Sequence, residues 1–364
     1  MQKVDVFRLQ MSFPADMSNL EKMVDSGEIA AESIQAIIAQ TEGDGFARGY
    51  ALQAFERLLS ERLGIPPGQI GNRIPLMMIG MTGGLMVPHM NVLTKVDVTE
   101  DTEGGKRLAL GVSMTREFLP EEYGTMVHVE AVSAAVKEAM RIAGLEDASD
   151  VHCVEIKCPM LTPARIEDAT RRKKTLVTSN ITQSGSYSRG ASALGVALAL
   201  GEVAATDLSD DVICRNWNLY SNVASTSSGG EQTACKVVVL GNSTASASEL
   251  VIGHSVMKDG LDLEGAKAAF RNAGLTFECC PGSGELKRVA CVFVNSGTNG
   301  LPTIRGKRHT MLSDYLWSFS GTIAKAVSNA VVGAILGDSM FLNSAGYEHQ
   351  GPPGSNLVAV IARA

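Results

Sequence analysis

Three loops of small residues constrain this chain more than any other feature. Each leads into a short apolar run, and each lies more than a hundred residues from the next. The first is Gly80-Met81-Thr82-Gly83-Gly84, ahead of Met90-Asn91-Val92-Leu93. The second is Ser225-Thr226-Ser227-Ser228-Gly229-Gly230-Glu231-Gln232, ahead of Lys236-Val237-Val238-Val239-Leu240. The third runs from Ser344-Ala345-Gly346 through Glu348-His349-Gln350-Gly351, ahead of Leu357-Val358-Ala359-Val360-Ile361. Without a Cβ, glycine lets backbone amides come close to a ligand. Loops repeated at this distance predict three structural units, and convergence of the loops would form one pocket.

The repeat extends beyond the loops. An amphipathic helix is predicted before each one, over residues 46–63, 187–203 and 320–336, with apolar residues at helical rather than alternating spacing. Before each helix lies an extended apolar segment, at 34–39, 150–157 and 288–295, and before that an earlier helix, near 19–26, 125–143 and 263–272. The polar joins near 99–106 and 242–249 read as linkers. A period this long is not that of a solenoid. The expectation is an α/β fold of three structurally similar repeat domains, 1–102, 103–246 and 247–364, around a pseudo-threefold axis with a central β-barrel-like core.

Composition narrows the partners. Net charge is -7 and aromatic residues make up 5%, so neither a basic face nor a stacking platform for nucleic acid is expected. The apolar stretches are short and interrupted, which argues against a membrane span, and the chain opens directly on a strand-like run with no signal peptide. The seven cysteines lack metal-ligand spacing and read as reduced thiols of a cytoplasmic protein.

The middle unit carries the candidate chemistry. Lys157 ends its core strand, Arg189 lies near the start of its helix, and Ser228 opens its glycine loop. A serine hydroxyl needs a base to become a nucleophile, and a desolvated lysine is such a base. No histidine adjoins Ser228, so Lys157 is the economical partner. Amides of Gly229 and Gly230 would steady an oxyanion, and Arg189 would clamp a carbonyl. Taken singly, each residue also has a plain structural reading: a solvated strand end, a surface arginine, a turn. Arg48 occupies the matching helix position in the first unit.

At these residues the chain resembles the cyanuric acid hydrolase and barbiturase family of ring-opening amidohydrolases. The matching strings include Thr41-Glu42-Gly43, Arg48-Gly49, Tyr187-Ser188-Arg189-Gly190-Ala191-Ser192, Ser227-Ser228-Gly229-Gly230-Glu231, Arg308-His309-Thr310-Met311-Leu312 and Glu348-His349-Gln350-Gly351. The resemblance implies three similar domains, a homotetramer, and one Lys, one Arg and one Ser-Gly pair from each domain. It implies Ser228 as nucleophile and Lys157 as base, with no cofactor.

The chain departs from that pattern. Gln40 and Asn295 stand where lysines are expected, Ile79-Gly80 where a Ser-Gly pair is expected, and Gly321 where an arginine is expected. Ser344 is followed by Ala345, and Gly297 replaces the acid of a structural metal site, so no metal is expected. Together with Arg48, Arg189, Gly229 and Gly230, the residues Ile79, Gly80, Ser344, Ala345, Gln40 and Asn295 form the expected substrate-binding set. The resulting expectation is Ser-Lys opening of a cyclic amide, imide or ureide less symmetrical than cyanuric acid. The alternatives are an isomerase, tautomerase or lyase using Lys157 as acid and base, and a non-catalytic binding protein.

Overall fold

The computed structural model describes residues 1–43, 45–99 and 104–364. The expected boundary between 102 and 103 lies outside the described residues. The chain first forms β1 (Gln2–Gln10), α1 (Ser18–Asp25), β2 (Ile34–Gln40), α2 (Gly45–Leu63), α3 (Pro67–Arg73), β3 (Leu76–Ile79) and β4 (His89–Asp97). It continues with β5 (Arg107–Met114), α4 (Met126–Ala143), β6 (Val151–Pro159), α5 (Pro163–Arg171), α6 (Ile181–Leu200), β7 (Ala224–Gly229) and β8 (Lys236–Ser243). The last stretch holds β9 (Leu250–Met257), α7 (Leu263–Asn272), α8 (Ser283–Leu286), β10 (Val289–Ser296), the ribbon β11 (Thr303–Ile304) and β12 (Lys307–Arg308), α9 (Ser320–Leu336), β13 (Leu342–Ala345) and β14 (Asn356–Arg363).

Each stretch builds one four-stranded sheet, and the three sheets share a strand order: β1-β4-β2-β3, β5-β8-β6-β7 and β9-β14-β10-β13. In every sheet the last pair is parallel and the others are antiparallel. The parallel pair needs a helical crossover, which α2, α6 and α9 supply.

The helices end alike. α6 and α9 stop at Gly201 and Gly337, both at φ 70, the left-handed conformation that closes a helix cheaply only with glycine. One start differs from expectation. α6 begins at Ile181, six residues before the expected start, because the Asn180 side chain accepts a hydrogen bond from the Gln183 amide and caps the helix there. Arg189 therefore sits in the third turn and not the first. Gly185 is needed inside this helix because a Cβ would lie 2.7 Å from the Ser228 Oγ.

The expected β-barrel-like core is not formed. None of the three sheets closes; each keeps two free edges, and a barrel requires one continuous, staggered ladder. Among the described residues, the β-bridges that cross between the three stretches are isolated ones, Gln2↔Ser246 and Ser221↔Gln350. The centre is instead side-chain packing between the inner faces of three open sheets. Ile38, Met77 and Leu93 meet Leu110, Cys153 and Val238, and these meet Ile252, Phe293 and Ile361. The outer face of each sheet packs against its own helices, around Phe55 in the first, Val132 in the second and Phe270 in the third.

Among the described residues, one helical run, Asp314–Leu336, is long and apolar enough to cross a membrane by length and composition. In the fold its α9 portion buries Lys325, Ser328 and Asn329 against the protein interior.

Candidate active site

Strand parity decides which side chains share a space. On β6, Val154, Ile156 and Cys158 face the helices, while Cys153 faces the centre. Lys157 is therefore an inner-face residue, and it is buried. On β7, Ala224 packs on the helix side, the Thr226 hydroxyl donates to the Arg189 carbonyl, and the Ser228 Oγ accepts from Arg189 Nη1 at 3.1 Å. Alternation puts Ser227 on the inner face.

The parallel register pairs Lys157 with Ser227, not with Ser228. The same register pairs Gln40 with Ile79 and Asn295 with Ser344. Ile79 and Leu342 belong to the central core, so Ile79 and Ser344 also face inward. The three units thus present three equivalent pairs, and the middle hydroxyl equivalent to Ser344 is Ser227. The expected partner, Ser228, is turned one residue out of that face. It lines the same cavity from the side, held by Arg189. The Ser227 Oγ is buried without a hydrogen-bond partner.

The pairs surround a cavity of about 220 Å³. A cavity of ~150 Å³ holds a benzene ring, so this one accommodates a single six-membered ring. Its lining includes Arg48, Ile79, Gly80, Lys157, Arg189, Ser227, Ser228, Lys325, Ser344 and Ala345. Gln40, Asn295, Gly229 and Gly230 do not line it. The Gln40 amide donates to the Ile79 carbonyl at 3.3 Å and accepts from the Asn343 amide at 2.6 Å. Asn295 donates to the Gly346 carbonyl at 2.8 Å. Both side chains tie strands together where lysines were expected. A larger cleft of about 580 Å³ lies between α1 and α2 on the outer side of the first sheet, remote from the inner-face pairs.

The glycine loops serve the site indirectly. At Gly229 a Cβ would overlap the Glu231 carboxylate, so its absence lets that side chain fold back to within 3.6 Å of Lys157 Nζ. Gly83 and Gly84 press onto α9, where a Cβ would meet Thr322 and Ala326. The third loop braces the middle unit. Glu348 pairs with Arg189, His349 accepts from the Cys214 amide, and the Gln350 carbonyl oxygen accepts from the Thr226 amide.

The cations form a ring that steps from unit to unit. Arg48, from the first, acts on Lys157 and Glu231 of the second. Arg189, from the second, pairs with Glu348 of the third, Nε to Oε2 at 3.1 Å. Lys325, from the third, donates to the Gly80 carbonyl of the first at 2.8 Å. Sequence reasoning missed Lys325 and assigned its place to Gly321. Lys325 and Arg189 both stand twelve residues before their left-handed glycines, so they are positional equivalents. The available signal was that Lys325 is the lone charged residue of α9. Glu231 and Glu348 were also missed as charge partners, though both lay in the matching strings.

Burial lowers the pKa of Lys157; Glu231 opposes the shift and Arg48 reinforces it. Lys157 Nζ also donates to the Met78 carbonyl at 2.9 Å and reaches the Ser228 carbonyl at 3.4 Å. Burial, with repulsion from Lys157, Arg48 and Arg189, brings Lys325 down to about 7. Burial alone would push Glu348 up, but Arg189 outweighs it and holds the carboxyl below its usual value. Two buried amines with lowered pKa values beside a free hydroxyl are suited to proton transfer at neutral pH.

The implied structural metal site lacks the acid expected at its first position. Gly297 offers an N–H there, which donates to the Ser355 carbonyl and to Asn356 Oδ1, and it has no carboxylate. Among the described residues, no cluster of His, Cys, Asp and Glu could hold a metal ion.

Comparison with known proteins covers the whole chain. Residues 5–363 match the family described as "Amidohydrolase ring-opening protein". The chain is 47% identical to a cyanuric acid amidohydrolase of Enterobacter cloacae, over 99% of each chain. It is 41% identical to a cyclic amide hydrolase of Azorhizobium caulinodans, over 100% of each. A solved cyanuric acid hydrolase superposes with a TM-score of 0.94 at 39% identity, covering 100% of both chains.

Proposed function

Because the chain belongs to the ring-opening amidohydrolase family, we propose that it opens a cyclic amide, imide or ureide through Ser227, with Lys157 as the base. It is a hydrolase of cyclic C–N bonds, and that reaction class displaces the isomerase, lyase and non-catalytic readings. The single observation that carries the assignment is the register partnership of Lys157 and Ser227 on the inner face of a ring-sized cavity.

The neutral Lys157 amine takes the proton from Ser227 Oγ as the oxygen attacks a ring carbonyl carbon. The developing oxyanion is stabilised by cationic donors fixed before the reaction begins. Collapse breaks the C–N bond, and the departing nitrogen takes the proton from Lys157. Water then attacks the acyl ester as Lys157 accepts its proton; collapse breaks the bond between the acyl carbon and Ser227 Oγ, Lys157 returns the proton to that oxygen, and the ring-opened acid leaves. Glu231 steadies the ammonium that Lys157 becomes midway. Arg48, Arg189 and Lys325 orient the ring through its remaining oxygens, and Ser228 positions Arg189.

The curated relatives act on cyanuric acid and on cyclic amides, which supports the same broad substrate class here. Family likeness also supports a homotetramer, checked by sedimentation equilibrium. The seven unpaired cysteines support a reducing, cytoplasmic setting. The deciding experiment is trapping with a slowly turned-over cyclic imide followed by peptide mass spectrometry. An acyl adduct on Ser227 supports the mechanism; an adduct on Ser228, or turnover retained in Ser227→Ala, removes it.

A further inference from the structure

Ile79 holds, in the first unit, the position that Ser227 and Ser344 hold in the other two. It is 3% exposed and lines the cavity. Its register partner Gln40 cannot substitute for the missing donors. Both ends of that amide are engaged, with the Ile79 carbonyl and the Asn343 amide, and the residue is fully buried behind the cavity wall. Two cations reach this corner: Lys325, whose ammonium already donates to the Gly80 carbonyl, and Arg48, whose guanidinium packs against Gly80. At the register position, one corner of the cavity therefore presents an apolar side chain in place of a hydroxyl. The other two present hydroxyls.

Cyanuric acid carries three equivalent carbonyls, and a site with three equivalent hydroxyl corners would read them alike. Here the third carbonyl would be pressed against the Ile79 side chain. A buried carbonyl left without a donor loses affinity of about tenfold or more. A saturated carbon at that corner loses nothing and gains apolar contact. Resting on the ring-opening chemistry of Lys157 and Ser227, we infer that Ile79 selects a ring with a saturated carbon where cyanuric acid has its third carbonyl. The chemical class is a six-membered cyclic imide or dihydropyrimidine, in which two carbonyls flank one ring N–H. Those two carbonyls face the Ser227 and Ser344 corners, and the one at Ser227 is attacked.

The test compares kcat/KM for glutarimide, 5,6-dihydrouracil and cyanuric acid, each followed by chromatography of the ring-opened product. Binding is read in parallel by thermal shift. Wild type is expected to prefer at least one of the two-carbonyl rings over cyanuric acid by about tenfold or more. Ile79→Ser, and Ile79→Ser combined with Gln40→Lys, are expected to shift that ratio toward cyanuric acid by at least tenfold. A wild type that opens cyanuric acid at least as well as both other rings overturns the inference, as does an unchanged ratio in Ile79→Ser or failure to bind or open either two-carbonyl ring. Ser227→Ala separates the two levels. If it abolishes turnover on every ring while the ratio is insensitive to Ile79, the catalytic reading stands and the inference alone falls. If it retains turnover, the catalytic reading itself has failed.

Discussion

Lys157 on β6 and Ser227 on β7 are register partners on parallel strands, and both side chains face the same cavity. Ser228, the next residue, faces α6 and accepts a hydrogen bond from Arg189. The two serines should separate cleanly. Ser227→Ala is expected to lower kcat by roughly 10³-fold or more, as loss of a nucleophile does. Ser228→Ala removes one acceptor from a charged donor and should cost roughly tenfold, mainly in KM. Steady-state kinetics on any substrate found will distinguish them; equal losses would contradict the register argument.

As the proposed base, Lys157 must be neutral to accept a proton, and burial lowers its pKa. Activity is therefore expected to rise with pH through the Lys157 pKa and to fall away on the acid side. Lys157→Arg keeps the charge but cannot act as a base, because guanidinium does not deprotonate in this range. It should be inactive at every pH while circular dichroism shows a folded protein. Residual activity with an unchanged acid limb would assign the titration to another group.

Lys325 titrates near 7 in the fold against 10.5 for an ordinary lysine. Between those values the unfolded chain holds a proton that the folded chain has lost. Stability without ligand should therefore rise with pH across this window, by about 1.4 kcal/mol per pH unit from this group. Lys325→Met should flatten that part of the slope in denaturant unfolding measured from pH 7 to 10. For ligand the direction reverses. The charged amine is the form that holds an oxygen, so affinity should weaken as pH rises through 7. Lys325→Arg should remove that dependence.

Glu348 is buried and paired with Arg189, and the pair joins the third unit to the second. Removing one partner leaves the other charge uncompensated, which costs about 3–5 kcal/mol. Glu348→Gln is expected to lower stability by about the low end of that range, since Arg189 keeps some solvent exposure. It should also raise KM, because Arg189 loses its fixed position. Calorimetry and kinetics together check this; a neutral effect on both would make the pair incidental.

Much of the fold was legible along the chain. The apolar segment 150–157 becomes β6, and α9 spans the predicted 320–336. Helical and extended periodicities are local properties, so the order of elements could be read without the tertiary structure. Arg189 was recognisable as an odd cation near a helix start, though Asn180 begins that helix two turns earlier than its apolar pattern suggests. Sheet closure was not legible. Whether an edge strand finds another edge depends on how three sheets approach one another, and here their apolar inner faces meet before their edges do.

The sequence by itself determined the three-part repeat, the family, and the residue types available to the site: an amine, adjacent hydroxyls, arginines, and one isoleucine out of pattern. Only the tertiary structure decided which serine shares the register position and the inner face with Lys157. A shift of one residue along a strand turns a side chain to the opposite face, and register is set by pairing with a strand some seventy residues away. It also decided that the third cation is Lys325, because a side chain reaching from one unit to the backbone of another has no local signature.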